Sequence, residues 1–66
     1  MDKAIFKGER FQYGEVWQSP RGTLYKVIAV ADGEAILRMG SDGSGRKHRR
    51  YVDDISGWYL YEPKVA

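Results

Sequence analysis

Thr23-Leu24-Tyr25-Lys26-Val27-Ile28-Ala29-Val30 is followed, one residue on, by Asp32-Gly33 and then by Glu34-Ala35-Ile36-Leu37-Arg38-Met39. The first stretch is rich in β-branched and aromatic residues and has turn signals at both ends, which is the pattern of a strand. Asp-Gly is a pair favoured in the two-residue type I′ hairpin, where both central residues need φ > 0. In the second stretch Glu, Ala, Leu, Arg and Met all favour helix. Six residues directly after a hairpin turn are too few to make one, so this segment also reads as a strand.

Working outward, Ser19-Pro20-Arg21-Gly22 is a turn, with Pro to fix φ and Gly to permit positive φ. Ahead of it Tyr13, Glu15 and Trp17 alternate with Gly14, Val16 and Gln18, a first strand beginning near Phe11. On the other side Gly40-Ser41-Asp42-Gly43-Ser44-Gly45 reads as a flexible loop tip. Residues 46–52 return as a strand paired with the one before the loop. Asp53-Asp54-Ile55-Ser56-Gly57 suits one turn of 3₁₀ helix, and Trp58-Tyr59-Leu60-Tyr61 is the last strand, closed by Pro63. Residues 1–10 read as a loose arm that Phe6 pins to the domain, and residues 63–66 as a tail, leaving 11–62 as the single domain.

Composition narrows the function classes. The chain has 66 residues, 11 basic and 9 acidic, no Cys and one His. A chain of this size buries only about 60% of the surface its unfolded form exposes, so the core is small. Without Cys there is no disulfide scaffold, thiolate zinc site or cysteine nucleophile. The apolar content is too high for a disordered chain. No apolar run approaches the ~20 residues that span a membrane, and no signal peptide opens the chain, so a soluble cytoplasmic protein without membrane contact is expected.

Five short strands, tight turns and no convincing helix point to an all-β fold, either a small barrel or two packed sheets. The order of strand, turn, three-stranded meander, 3₁₀ turn and final strand resembles a five-stranded SH3-like small barrel, of the broad kind that includes Tudor-like and KOW-like modules. The chain is also similar to small phage and prophage proteins. The resemblance covers residues 11–61 and rests on Gly22-Thr23-Leu24-Tyr25-Lys26-Val27-Ile28, Ala35-Ile36-Leu37-Arg38 and Gly57-Trp58. It implies a fold and little about the ligand. The SH3 signature for proline-rich ligands, an acidic loop with paired aromatics, is not evident.

Alternation assigns Tyr25 or Val27 to the core on one side of the second strand and Ile28 and Val30 on the other, with twist blurring the phase. Val16, Leu37, Val52, Ile55, Trp58 and Leu60 complete the candidates, and Trp58 is expected to tolerate Ala least.

Catalysis finds no frame. His48 is the single imidazole and sits among Arg46, Lys47, Arg49 and Arg50. Asp53 and Asp54, being adjacent, suit capping or pairing with Arg49 or Arg50 better than acid/base work. The 42–45 loop lacks the residues of a phosphate loop and the carboxylates of a calcium loop. No cofactor or metal is expected.

Two recognition surfaces remain. Two Trp, five Tyr and two Phe exceed what so small a core can hide. Tyr59 and Tyr61 should face away from the core, and Tyr13 and Trp17 fall on one face of the first strand. Exposed Tyr and Trp are the composition of protein-binding hot spots. The leading expectation is therefore a protein-binding adaptor or inhibitor of phage type, or a self-associating module, using Tyr13, Trp17, Tyr59 and Tyr61. The alternative is a nucleic-acid-binding barrel that uses the basic strand. Lys47, Arg49 and Tyr51 would share one of its faces, Arg46, His48 and Arg50 would share the other near the loop end, and Arg38 would lie on the neighbouring strand. A basic strand also protects a sheet edge from aggregation.

Overall fold

The computed structural model describes residues 8–62. The expected arm therefore lies outside them except for residues 8–10, as does the tail, and so does the expected anchoring by Phe6. Five strands form: β1 (Val16–Gln18), β2 (Leu24–Ala31), β3 (Glu34–Met39), β4 (Lys47–Tyr51) and β5 (Tyr59–Glu62). All pairings are antiparallel, in one sheet of order β4-β3-β2-β1-β5. The β2–β3–β4 meander is local, whereas β5 returns to pair with β1. β4 and β5 are the two edges, and no ladder joins them among the described residues, so the hydrogen-bonded sheet is open. The described residues contain no helix, and hence none long and apolar enough to cross a membrane.

The central hairpin forms as read. Asp32 and Gly33 both have positive φ, 54° and 77°, the requirement of the type I′ turn. Ala31 then opposes Glu34, Val30 opposes Ala35 and Ala29 opposes Ile36. A register shift between Val27 and Ala29 makes Ile28 the extra residue, so that Val27 opposes Leu37 and Lys26 opposes Arg38. Unshifted, the two-residue turn would have set Arg38 opposite the core residue Val27.

One face of the sheet carries the core. Trp17 opposes Tyr25, Val27 opposes Leu37, and Leu60 opposes Trp17. Phe11, Trp17, Tyr25, Val27, Ala35 and Leu37 are buried in one cluster, with Val52, Ile55, Trp58 and Leu60 packed against it. Both Tyr25 and Val27 point inward. Ile28 is only half-buried, and Val30 is 43% exposed. These two correct the expected second set of core residues: Ile28 is the bulged residue, and Val30, although set opposite the buried Ala35, lies near the hairpin turn where the strand has left the core. Phe11 enters the core from the loop before β1. Its N–H donates to Val52 O, and its ring meets those of Trp17 and Trp58 edge-on, with centroids 4.7 and 5.3 Å away.

The segment ahead of β1 is tied to this core. Gly8 lies against the Trp17 indole, where a Cβ would overlap ring atoms Cη2 and Cζ2. The buried carboxylate of Glu15 accepts from Trp17 Nε1 and from the Gln12 N–H, both at 2.8 Å. In place of a single 3₁₀ turn, the stretch after β4 holds two separate turns, closed by Asp54 N–H donating to Tyr51 O and Trp58 N–H donating to Ile55 O.

Glycine and small polar side chains predict a 41–45 loop with nothing to pack, yet the loop folds back on the sheet. Arg38 Nε donates to Gly45 O at 2.9 Å, Gly45 N–H to Met39 O, and Gly43 is buried beside Lys26 and Ile28. Asp42 Oδ1 accepts from the Ser44 hydroxyl and N–H. These bonds, the hydroxyl first, hold the Asp42 carboxyl below its ordinary value, with Lys26 assisting and desolvation opposing. A lowered pKa means that this order is present above the ordinary carboxylate range and is lost as pH falls through the lowered value. Amide order parameters for residues 41–45 should approach those of β2 at neutral pH and drop in acid. Nanosecond mobility at neutral pH would contradict the hydrogen bonding.

Candidate functional site

Residues directly opposed in an antiparallel sheet share a face, so the register sorts the basic segment. Leu37 opposes His48 and Ala35 opposes Arg50, which sets His48 and Arg50 on the core face. Arg38 opposes Lys47, Ile36 opposes Arg49 and Glu34 opposes Tyr51, which sets Lys47, Arg49 and Tyr51 on the outer face. Because Lys26 opposes Arg38, a row of three cations runs Lys26–Arg38–Lys47 across β2, β3 and β4. Neighbours in such a row sit about 5 Å apart, the spacing between strands.

Like charges in directly opposed positions are destabilising. Arg38 relieves part of this by turning its guanidinium to the loop carbonyls of Gly45 and, at 3.4 Å, Ser44. It still keeps donors to spare, since a guanidinium carries five N–H groups. Beside the row Arg49 is 69% exposed and meets Glu34 only at 3.8 Å, a surface pair of little strength. Tyr51 is 65% exposed and, with Arg49 and Glu34, borders a shallow hollow of about 300 Å³ at the sheet edge. Four of the five expected nucleic-acid residues, Arg38, Lys47, Arg49 and Tyr51, are therefore gathered on one face, and Lys26 joins them.

Arg50 does not belong to that face. Its Nη2 pairs with the Asp54 carboxylate at 2.9 Å, its guanidinium donates to Asp54 O, and it lies over the Trp58 ring at 5.0 Å. This is a partly buried strut holding the segment after β4 against the core face. His48 presents its ring to the edge of Tyr25 with centroids 5.1 Å apart, and Tyr25 leans on Trp58 at 5.3 Å. Together with Ser19, Pro20, Arg21 and Ser56 these residues line a groove of about 380 Å³ on the core side of β4. Gly57 lies against the Pro20 ring, so the turn before β5 and the turn before β2 meet at the groove.

The expected aromatic surface divides differently. Trp17 is 0% exposed at the centre of the core, which corrects its assignment to a partner-binding face. Tyr13 is 67% exposed in the turn before β1; Tyr59 is exposed on β5, at the edge opposite β4; and Tyr61 is half-buried. The expectation for Trp17 carries β-alternation back from β1 to Tyr13, but residues 12–15 form a turn, so Tyr13 has no phase relation to Trp17.

Among the described residues no group of three His, Asp or Glu side chains could hold a metal ion. No protein-family model matches the chain, and comparison with curated proteins and with solved structures likewise gave no match.

Proposed function

We propose that the protein is a non-enzymatic recognition module of SH3-like type that binds single-stranded nucleic acid across the outer face of β2, β3 and β4. The observation that carries this reading is the Lys26–Arg38–Lys47 row, with Arg49 and Tyr51 beside it. Directly opposed cations cost the folded sheet, and a polyanion laid across them reverses that cost. Phosphates engage the cations, while the exposed Tyr51 ring offers a face on which a base stacks, with Ile36 as an apolar neighbour. The meander with β5 returning to β1 supports the SH3-like comparison, and small barrels of that sort use open strands for nucleic acid. Protein recognition through Tyr13, Tyr59 and Tyr61 is the second reading. It keeps two exposed rings and loses its anchor, since Trp17 is core.

The test is fluorescence polarisation with labelled single-stranded and duplex oligonucleotides over a range of salt. Each phosphate neutralised on a single strand contributes about −0.7 to the slope of log affinity against log salt. Neutralising roughly three to four phosphates gives an expected slope of about −2 to −3. No binding at tens of micromolar protein, or binding indifferent to salt, rejects the reading.

A further inference from the structure

Resting on that reading, we infer that the groove on the core side of β4 seats one nucleobase of the same strand, as that strand crosses the sheet edge. β4 is an edge strand, so its alternate residues look to two sides of one open rim: Lys47 and Arg49 outward, His48 and Arg50 inward. A chain following the outer cations therefore reaches the inner groove without leaving basic surface.

The groove suits a planar group joined to an anion. Its lining includes the rings of His48, Tyr25 and Trp58, which touch one another in turn, and the ring of Pro20. Aromatic rings of this kind are sequence-tolerant stacking partners for bases. Ser19 and Ser56 supply hydroxyls that can bond base edges. The lining includes Arg21 and Arg50 and no carboxylate. Arg50 is already committed to Asp54 and Trp58, whereas Arg21 is exposed on its turn and has no ion pair among the described residues. Arg21 is therefore the cation left for the phosphate of the seated nucleotide. A groove of about 380 Å³ accommodates one base with its sugar.

The experiment compares a thymidine decamer with an abasic deoxyribose-phosphate chain of equal length, by polarisation and by ¹H–¹⁵N NMR of the Trp58 indole and the His48 ring. The decamer should bind about ten-fold tighter than the abasic chain and should shift both signals. The abasic chain should shift neither. Arg21→Glu and, separately, His48→Ala should shrink the difference between the two chains. Both side chains are exposed, so the fold should tolerate these changes. Tighter binding of the decamer with no shift of Trp58 or His48 would overturn the groove assignment and leave the outer-face function, with its stacking on Tyr51, standing. Equal affinities for the two chains would overturn base stacking on both faces and leave only the phosphate contacts. Absence of binding by either chain would remove both the groove assignment and the outer-face function. Shifts of Trp58 and His48 with an acidic peptide but not with the decamer would also overturn the groove assignment and give the groove to protein.

Discussion

Trp17→Ala should lower the stability of the domain by about 3–5 kcal/mol, the usual cost of deleting a large buried aromatic. The net stability of so small a domain lies at the low end of the ordinary 5–15 kcal/mol or so, and much of it would be lost. Trp17 is fully buried, meets Phe11 edge-on at 4.7 Å, packs beside Gly8 and is bonded through its indole N–H to Glu15. Removing the ring empties the centre of the cluster and leaves the buried Glu15 carboxylate with the Gln12 N–H but without its indole donor. Trp58 is only half-buried at the rim of the same cluster, so Trp58→Ala should cost less. Urea unfolding followed by circular dichroism ranks the two. A larger loss for Trp58→Ala would contradict the placement of Trp17 at the centre of the core. Glu15→Gln, which keeps a carbonyl acceptor for the indole, should fall well short of Trp17→Ala.

Legibility in the sequence differs by element. The number and type of strands are legible, because Asp32-Gly33 and Pro20-Arg21-Gly22 punctuate β-rich runs with turn chemistry that has few alternatives. β3 spans the residues that its sequence marks. Side-chain phase is less legible. Trp17 escapes the alternation rule because that rule holds only within a strand, and β1 is three residues long with a turn immediately before it. Ile28 escapes it because it is the bulged residue itself, and Val30, which the bulge sets opposite the buried Ala35, escapes it because it lies near the hairpin turn, beyond the core. The same bulge hides Lys26 from the site. Its hydropathy and spacing show nothing unusual, and only the shifted register sets it opposite Arg38. Alternation sets Arg50 on the face away from Lys47 and Arg49, where it opposes the buried Ala35; what the sequence does not show is that it is committed there to Asp54 and Trp58 rather than free for a phosphate.

Lys47→Glu combined with Arg49→Glu should weaken single-strand binding at low salt by about 100-fold or more, or ~2.8 kcal/mol at ~1.4 kcal/mol per decade. Both side chains are exposed on the outer face of β4. Reversal replaces two attractive charges with two repulsive ones and also offsets the positive field of Arg38 on the adjacent strand. The salt slope should flatten by about 0.7 for each phosphate that is no longer neutralised. Folding should change little, since surface substitutions away from packed features usually stay within about 0.5 kcal/mol. Charge reversal in the other direction discriminates further: Glu34→Arg removes the sole carboxylate that meets Arg49 among the described residues, and should tighten binding. Tyr59→Ala is the contrasting change. Tyr59 lies on β5, three strands away from β3 and four from β4 in the sheet order, and its loss should leave oligonucleotide affinity where it was. If the double reversal binds as tightly as the native chain while Tyr59→Ala abolishes capture of a protein partner, the tyrosine surface is the functional one. If affinity falls and the salt slope flattens together, the register of β2, β3 and β4 is what turns a scattered set of basic residues into a binding face.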